Sequence, residues 1–230
     1  MQVVILAAGL GTRLGNPFPK ALTPLVDGRT IMGQQLENIH SRHKNAQVYI
    51  VVGFKLDMIL EAFPHNLFVY NEMFDSTNTS KSLLRALRAS GPGGVLWLNG
   101  DVVFDPRVLD RVQALIDSDQ SFVCVNTASV GEEEVKYTTN EAGHINALSK
   151  QVTGAFGEAV GINFVAGRDK EALISRLAEV EAQDYFERGI EESIEKDGLV
   201  VVPVDISDLY AVEVDFAEDL AAANSKLFVG

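Results

Sequence analysis

Basic residues are scarce in this chain: 19 lysines and arginines stand against 32 aspartates and glutamates, a formal net charge of −13. A duplex nucleic-acid partner demands a basic face, so that class is excluded. A small anion is not excluded, because a few cations in one pocket outweigh distant surface charge. Cysteine is rarer still. Cys124 stands alone in the apolar run SFVCV, which rules out an intrachain disulfide and a cysteine metal cage and marks it as a core residue. The four histidines form no H-E-x-x-H pair and no serine sits in a G-x-S-x-G elbow, so neither a zinc site nor a serine hydrolase is expected.

Long apolar runs are missing too. No stretch approaches the ~20 residues of a membrane span, and the first residues carry no cationic segment of the kind that opens a secretory signal. A cytoplasmic protein without a membrane span is the expectation. Low-complexity tracts and fixed-period repeats are absent, and the 230 residues are 47% hydrophobic and 22% charged, near the averages for folded soluble chains. That length suffices to bury a large core, and with no Pro/Ser-rich linker one domain over residues 1–230 is expected.

Short apolar strand candidates alternate with amphipathic helix candidates in the first half: QVVILA, IMGQQLENIHSR, AQVYIVVG, LDMILEAF, LFVYN, SLLRALRAS and GVLWLNG. Such alternation predicts βαβ units and a Rossmann-like, mostly parallel sheet flanked by helices, an α/β class. The near-continuous apolarity of VVILAA and VYIVVG suits strands covered on both faces. Asp105-Pro106 reads as the N-cap and first residue of the helix PRVLDRVQALIDS. From 121 to 166 the strands SFVCVNT, EVKYTT, HINALSK and EAVGINFVA follow one another across short turns, which predicts an antiparallel extension. Two helices, two strands and a terminal helix from Phe216 complete the chain.

Chemistry concentrates in LAAGLGTRLGNPFPKAL, residues 6 to 22. A dinucleotide fingerprint wants glycine at position 14, where this chain has Leu14, and a P-loop wants Ser or Thr after Lys20, where it has Ala21. What remains is a strand followed by a glycine-containing loop with Thr12, Arg13 and Lys20. Glycines let backbone N–H groups approach an anion, arginine grips phosphate oxygens with a fork of donors, and lysine supplies a compact charge. The pattern points to a polyphosphate at the carboxyl end of a parallel sheet. Two acids end strands that could reach it, Asp101 after VLWLNG and Asp215 after YAVEV. Converging, they could hold one Mg²⁺. A turn role for Asp101 and a helix N-cap role for Asp215 stay open beside that reading.

The string LAAGLGTRLG followed by PKAL resembles the signature of the sugar-nucleotidyltransferase-like family of nucleoside-triphosphate transferases. The resemblance implies a nucleotide-diphospho-sugar transferase fold, with Leu6, Ala7, Ala8 and Gly9 against the base. It also implies Gly11, Thr12 and Arg13 on the triphosphate, Lys20 at the reacting phosphates, and Mg²⁺ on Asp101 and Asp215. FDSTNTSKSLLRAL resembles a region of the cytidylyltransferases that activate small phosphorylated or phosphonylated alcohols, such as phosphocholine, 2-aminoethylphosphonate and inositol phosphate. In that resemblance Asn78 and Ser80 bind nucleotide, although helix caps explain the same residues. EEEVKYTTNEAGHINALSK and GEAVGINFVA resemble the same subgroup, implying Lys136 and Lys150 on acceptor or α-phosphate and Glu158 in the acceptor pocket. Lysines ending exposed strands also serve to protect sheet edges. No evident aromatic cage surrounds a quaternary amine, although Trp97, Tyr137 and Tyr185 could contribute.

The expectation is therefore a Mg²⁺-dependent transfer of a cytidylyl group from CTP to a small phosphate- or phosphonate-bearing acceptor, with pyrophosphate released. Alternatives are a uridylyl- or thymidylyltransferase acting on a sugar 1-phosphate, and a binding module without turnover. A homodimer is compatible with the sequence.

Overall fold

The computed structural model describes residues 1–11, 14–128, 130, 131 and 134–227. Thr12 and Arg13, assigned above to the triphosphate, lie outside the described residues.

The first half follows the expected alternation. Strands β1 (Gln2–Ala7), β2 (Gln47–Val52), β3 (Leu67–Tyr70) and β4 (Val95–Asn99) pair in parallel in the order β4-β1-β2-β3. The connecting helices are α1 (Ile31–Arg42), α2 (Leu56–Ala62) and α3 (Thr79–Ala89). Thr30 caps α1 by accepting the Gly33 amide at 3.0 Å, and α3 opens three residues earlier than its apolar stripe indicates, at the Asn78 cap. Both sheet faces are covered, as the unbroken apolarity of the strands requires. Val3, Ile5 and Ala7 face Met32, Leu36 and Ile39 of α1, while Val4, Leu6 and Ala8 face Leu83, Ala86 and Leu87 of α3. Truncating a fully buried residue such as Ile5 costs about 2–5 kcal/mol.

The second half completes the same sheet. Helix α4 (Arg107–Asp117) leads to β6 (Phe122–Asn126), and β9 (Gly157–Val165) runs antiparallel between β4 and β6. Residues 121–166 thus divide: β6 and β9 belong to the central sheet, and only β7 (Lys136–Thr139) and β8 (Ile145–Ser149) extend beyond its path. The α4 start sits one residue later than expected, with Asp105 accepting the Arg107 amide at 2.9 Å. Helices α5 (Lys170–Glu179) and α6 (Phe186–Asp197) pack on the α3 face, β10 (Val202–Asp205) pairs with β6, and α7 (Ala217–Leu227) ends the described chain. Cys124 is fully buried, and desolvation pushes its thiol up.

The strand expected at YAVEV is present, but its partner has no counterpart in the sequence reading. β5 (Val102–Phe104), three residues long, pairs antiparallel with β11 (Ala211–Glu213). This two-stranded sheet sets the chemistry that follows.

Candidate active site

Asp101 lies in the turn between β4 and β5, and Asp215 lies just past β11. The β5–β11 register places Glu213 opposite Val102, and the Val214 amide donates to the Asp101 carbonyl at 3.0 Å. Two acids 114 positions apart are thereby brought side by side. Helix α1 fixes the Asp101 turn from below: the buried Gln35 amide donates to the Asn99 and Val102 carbonyls, both at 2.8 Å, and Gln34 and Asn38 donate to the Phe104 carbonyl. Asp219 closes the Asp215 side by accepting the amides of Asp215 and Phe216 at 3.0 and 2.7 Å. That reach-back from the first turn of α7 supplies the cap, so the Asp215 carboxylate is turned to another partner.

That partner is Lys20. Its ammonium donates to Asp101 Oδ2 at 2.9 Å and to Asp215 Oδ1, with its side chain only 14% exposed. Burial alone would lower the Lys20 pKa, but the adjacent Asp101 and Asp215 outweigh it and hold the ammonium above its ordinary value. Lys20 begins a short 3₁₀ turn, Lys20–Leu22, and Gly11 packs directly against it. Gly11 has φ +60°, and a Cβ there would meet the Lys20 Cβ at 3.1 Å. The glycine loop and the lysine are thus one folded unit, which accounts for their joint appearance in the opening string.

Around these groups lies a cavity of about 730 Å³, within the range of small-ligand sites. It opens at the carboxyl ends of β1 and β4, where open α/β sheets bind ligands. Leu6, Ala7, Gly9, Gly11, Lys20, Asp101 and Asp215 line it, as do Asn78 and Lys150. Ala8 does not line it and instead accepts the Phe54 amide at its carbonyl, 3.2 Å.

The structure commits several expected site residues to other partners. The Asn78 carboxamide accepts the Thr79 amide at 2.8 Å, and the Asn78 and Ser80 amides donate to the carbonyls of Ala182 and Asp184. Ser80 is fully buried away from the cavity. This segment clamps the loop before α6. Glu158 accepts the Gly131 amide at 2.8 Å and the Asn126 carboxamide at 3.3 Å. In-out alternation along β9 puts its neighbours Ala159 and Gly161 on the cavity wall. Lys136 donates to the Lys150 carbonyl at 3.2 Å and is also off that wall. Of the three aromatics considered, Trp97 and Tyr137 are buried in the core, and Tyr185 reaches the cavity.

Sequence reasoning missed three acids on the wall. Glu213 accepts from the Asn99 carboxamide at 3.0 Å, and burial together with the Asp101 charge pushes it well above the usual carboxylate range. Its signal was present, since E-V-D places 213 and 215 on one face of a strand. Glu134 is raised by burial and by Glu158, and Glu187 by burial, to about 7. Neither carries a local signal: one follows an acidic run, and the other resembles an ordinary first-turn helix acid.

The donor set suits a hard divalent cation. Asp101 Oδ1 is buried without a hydrogen-bond partner, and a cationic group already bridges the two carboxylates. Among the described residues no three His, Cys, Asp or Glu side chains gather as a cage. Two carboxylates completed by substrate phosphates is the way Mg²⁺ is commonly held.

Residues 3–163 match the MobA-like NTP transferase domain. The chain belongs to this nucleotidyltransferase family. Over 243 residues it is 28% identical to the CMP-5′-(3-aminopropyl)phosphonate synthase of Streptomyces rubellomurinus, covering 97% of this chain and 38% of that protein. A 30% identity over 207 residues links it to the bifunctional protein GlmU of Methanococcus maripaludis, covering 83% of this chain and 47% of that protein. The chain therefore spans about half or less of the length of these curated relatives. The inositol-1-phosphate CTP transferase of T. maritima shares the fold at TM-score 0.78 and 17% identity, over 100% of this chain and 96% of that one. The CTP:phosphocholine cytidylyltransferase of Streptococcus pneumoniae shares it at TM-score 0.75 and 18% identity, over 98% of both chains. No helix among the described residues is long and apolar enough to cross a membrane.

Proposed function

We propose that this NTP transferase moves the cytidylyl group of CTP to a small phosphorylated or phosphonylated alcohol and releases pyrophosphate. The observation that carries this reading is the convergence of Asp101 and Asp215 on Lys20 beneath the glycine loop. The choice of CTP is supported by the CMP-phosphonate synthase among the relatives.

The nucleotide lies along Leu6 to Gly11, its base toward the strand end and its phosphates toward Lys20. An acceptor oxygen attacks the α-phosphorus in line as the bond to pyrophosphate breaks. A phosphate monoester has a second pKa of ~6 and is already largely ionised near neutrality, so no general base is needed. Lys20 neutralises charge growing on the α-phosphate, and Arg13 is assigned to the leaving pyrophosphate. Asp101 and Asp215 would hold Mg²⁺, which when bound supplies further charge neutralisation at the phosphates. The Lys20 ammonium, held by the same two acids, lies on the cavity wall where it can meet the α-phosphate. Catalysis then rests on positioning and preorganised charge.

The test is pyrophosphate release with ATP, CTP, GTP and UTP against a panel of small phosphoesters and phosphonates. Release with CTP at least tenfold above the other three supports the reading. A preference for UTP with a sugar 1-phosphate, or tight CTP binding without turnover, contradicts it.

A further inference from the structure

Among the described residues two that carry side chains adopt positive φ, Asp119 at +52° and Lys55 at +46°. Aspartate is one of the few residues that tolerate this conformation, and the Asp119 carboxylate accepts the Gly167 amide at 2.7 Å. Lysine has no such tolerance, and a glycine would sit at position 55 without strain. Strain of this kind persists where the surroundings require it, so the Lys55 side chain calls for an account.

Its place in the fold supplies one. Gly53, Phe54 and Lys55 leave the end of β2, which pairs in parallel with β1. The Phe54 amide donates to the Ala8 carbonyl at 3.2 Å, and a Cβ on Gly53 would come within 2.6 Å of that same oxygen and 2.5 Å of the Phe74 Cβ. Such close packing leaves this base no room to shift. From it the Lys55 ammonium, 5.4 Å from the Phe54 ring centroid, donates to the Pro17 carbonyl. One segment therefore grips the loop after β1 on both flanks, at Ala8 where the loop leaves the strand and at Pro17 shortly before Lys20. Inside that span the Asn16 carboxamide donates to the Thr23 hydroxyl at 3.2 Å, and Gly11 packs on Lys20. Lys55 itself is exposed and off the cavity wall.

We propose that Lys55 is a positioning residue for the nucleotide: it braces the glycine loop from outside, so that the backbone amides from Gly9 to Gly11 stand ordered before CTP arrives. It touches no substrate and acts through the loop. A loop ordered in advance avoids the conformational entropy that a loose one loses on binding. The assignment rests on the nucleotidyl-transfer reading above and adds to it a residue outside the cavity.

The test uses two variants. Lys55→Met keeps the stem and removes the donor, and Lys55→Gly removes the tether together with the backbone strain. The calorimetric Kd for CTP with Mg²⁺ is expected to rise roughly 3- to 10-fold in both, the range of one net hydrogen bond. The urea midpoint of Lys55→Gly is expected not to fall, since glycine suits the left-handed backbone. In turnover with an acceptor that supports it, KM for CTP should rise by the same factor, while kcat and KM for the acceptor change by less than about twofold. A lysine with a merely structural role gives the opposite split, a lower midpoint with an unchanged Kd for CTP, and that result overturns the proposal while leaving nucleotidyl transfer standing. If the unmodified protein binds none of the four nucleoside triphosphates, the transfer reading falls instead. Hydrogen exchange across residues 9–23 of the nucleotide-free chain then decides the brace: Lys55→Met should exchange roughly 3- to 10-fold faster than the unmodified protein, and equal rates overturn it.

Discussion

Asn99 donates its side-chain N–H to the Glu213 carboxylate at 3.0 Å, joining the end of β4 to the end of β11 at the floor of the cavity. Gly161 of β9 makes room for this pair. A Cβ there would come within 2.5 Å of Glu213 Oε1 and 2.8 Å of Asn99 Nδ2, at a φ of +68° that side-chain-bearing residues rarely adopt. Gly161→Ala is therefore expected to lower stability by about 1–3 kcal/mol and to reduce turnover by displacing the Asp101 turn. Urea unfolding and pyrophosphate release check both, and an unchanged midpoint would show that the pair can move aside without cost.

The larger part of the fold was legible in the sequence because it rests on local pattern. The strand QVVILA and the helix IMGQQLENIHSR have the limits that their apolar spacing indicates. YAVEV was legible as a strand, but its partner β5 was not, since three residues carry too little periodicity to be found and nothing local marks a pairing between segments so far apart in sequence. The site divides the same way. Asp101 and Asp215 announce themselves by position after strands, and Lys20 by its place behind the glycine loop. Asn78 lines the cavity as well as holding the loop before α6, and Ser80 holds that loop from a buried position, a structural role set by residues more than 100 positions away.

That clamp makes its own prediction. The Phe186 amide donates to the Thr79 hydroxyl at 3.1 Å, fixing the segment that carries Tyr185 and Glu187. Thr79→Val keeps the shape and removes the acceptor, a loss of about 1–2 kcal/mol. The KM for the acceptor should rise roughly 5- to 20-fold, with the KM for CTP changed less than twofold. A larger effect on CTP would place Thr79 on the nucleotide instead.

Glu187 also links the site to pH. Burial raises it from 4.5 to about 7, with Lys150 pulling it down and Glu191 pushing it up. Between those values the folded chain holds a proton that the unfolded chain has lost. Stability therefore falls as pH rises from about 4.5 and levels off above about 7, a change on the order of 3 kcal/mol. Glu187→Gln removes this dependence, so the variant should gain on the unmodified protein by that amount between pH 5 and pH 8 in urea unfolding. A difference that stays constant with pH would mean that Glu187 is ionised throughout.

The central claim is that Lys20, between Asp101 and Asp215, serves an α-phosphate. Its most direct test is kcat for pyrophosphate release from CTP and phosphoethanolamine in Lys20→Ala, alongside the unfolding midpoint. A fall of roughly 10²- to 10³-fold is expected in a chain that remains folded. Turnover at the unmodified rate in folded Lys20→Ala would contradict it.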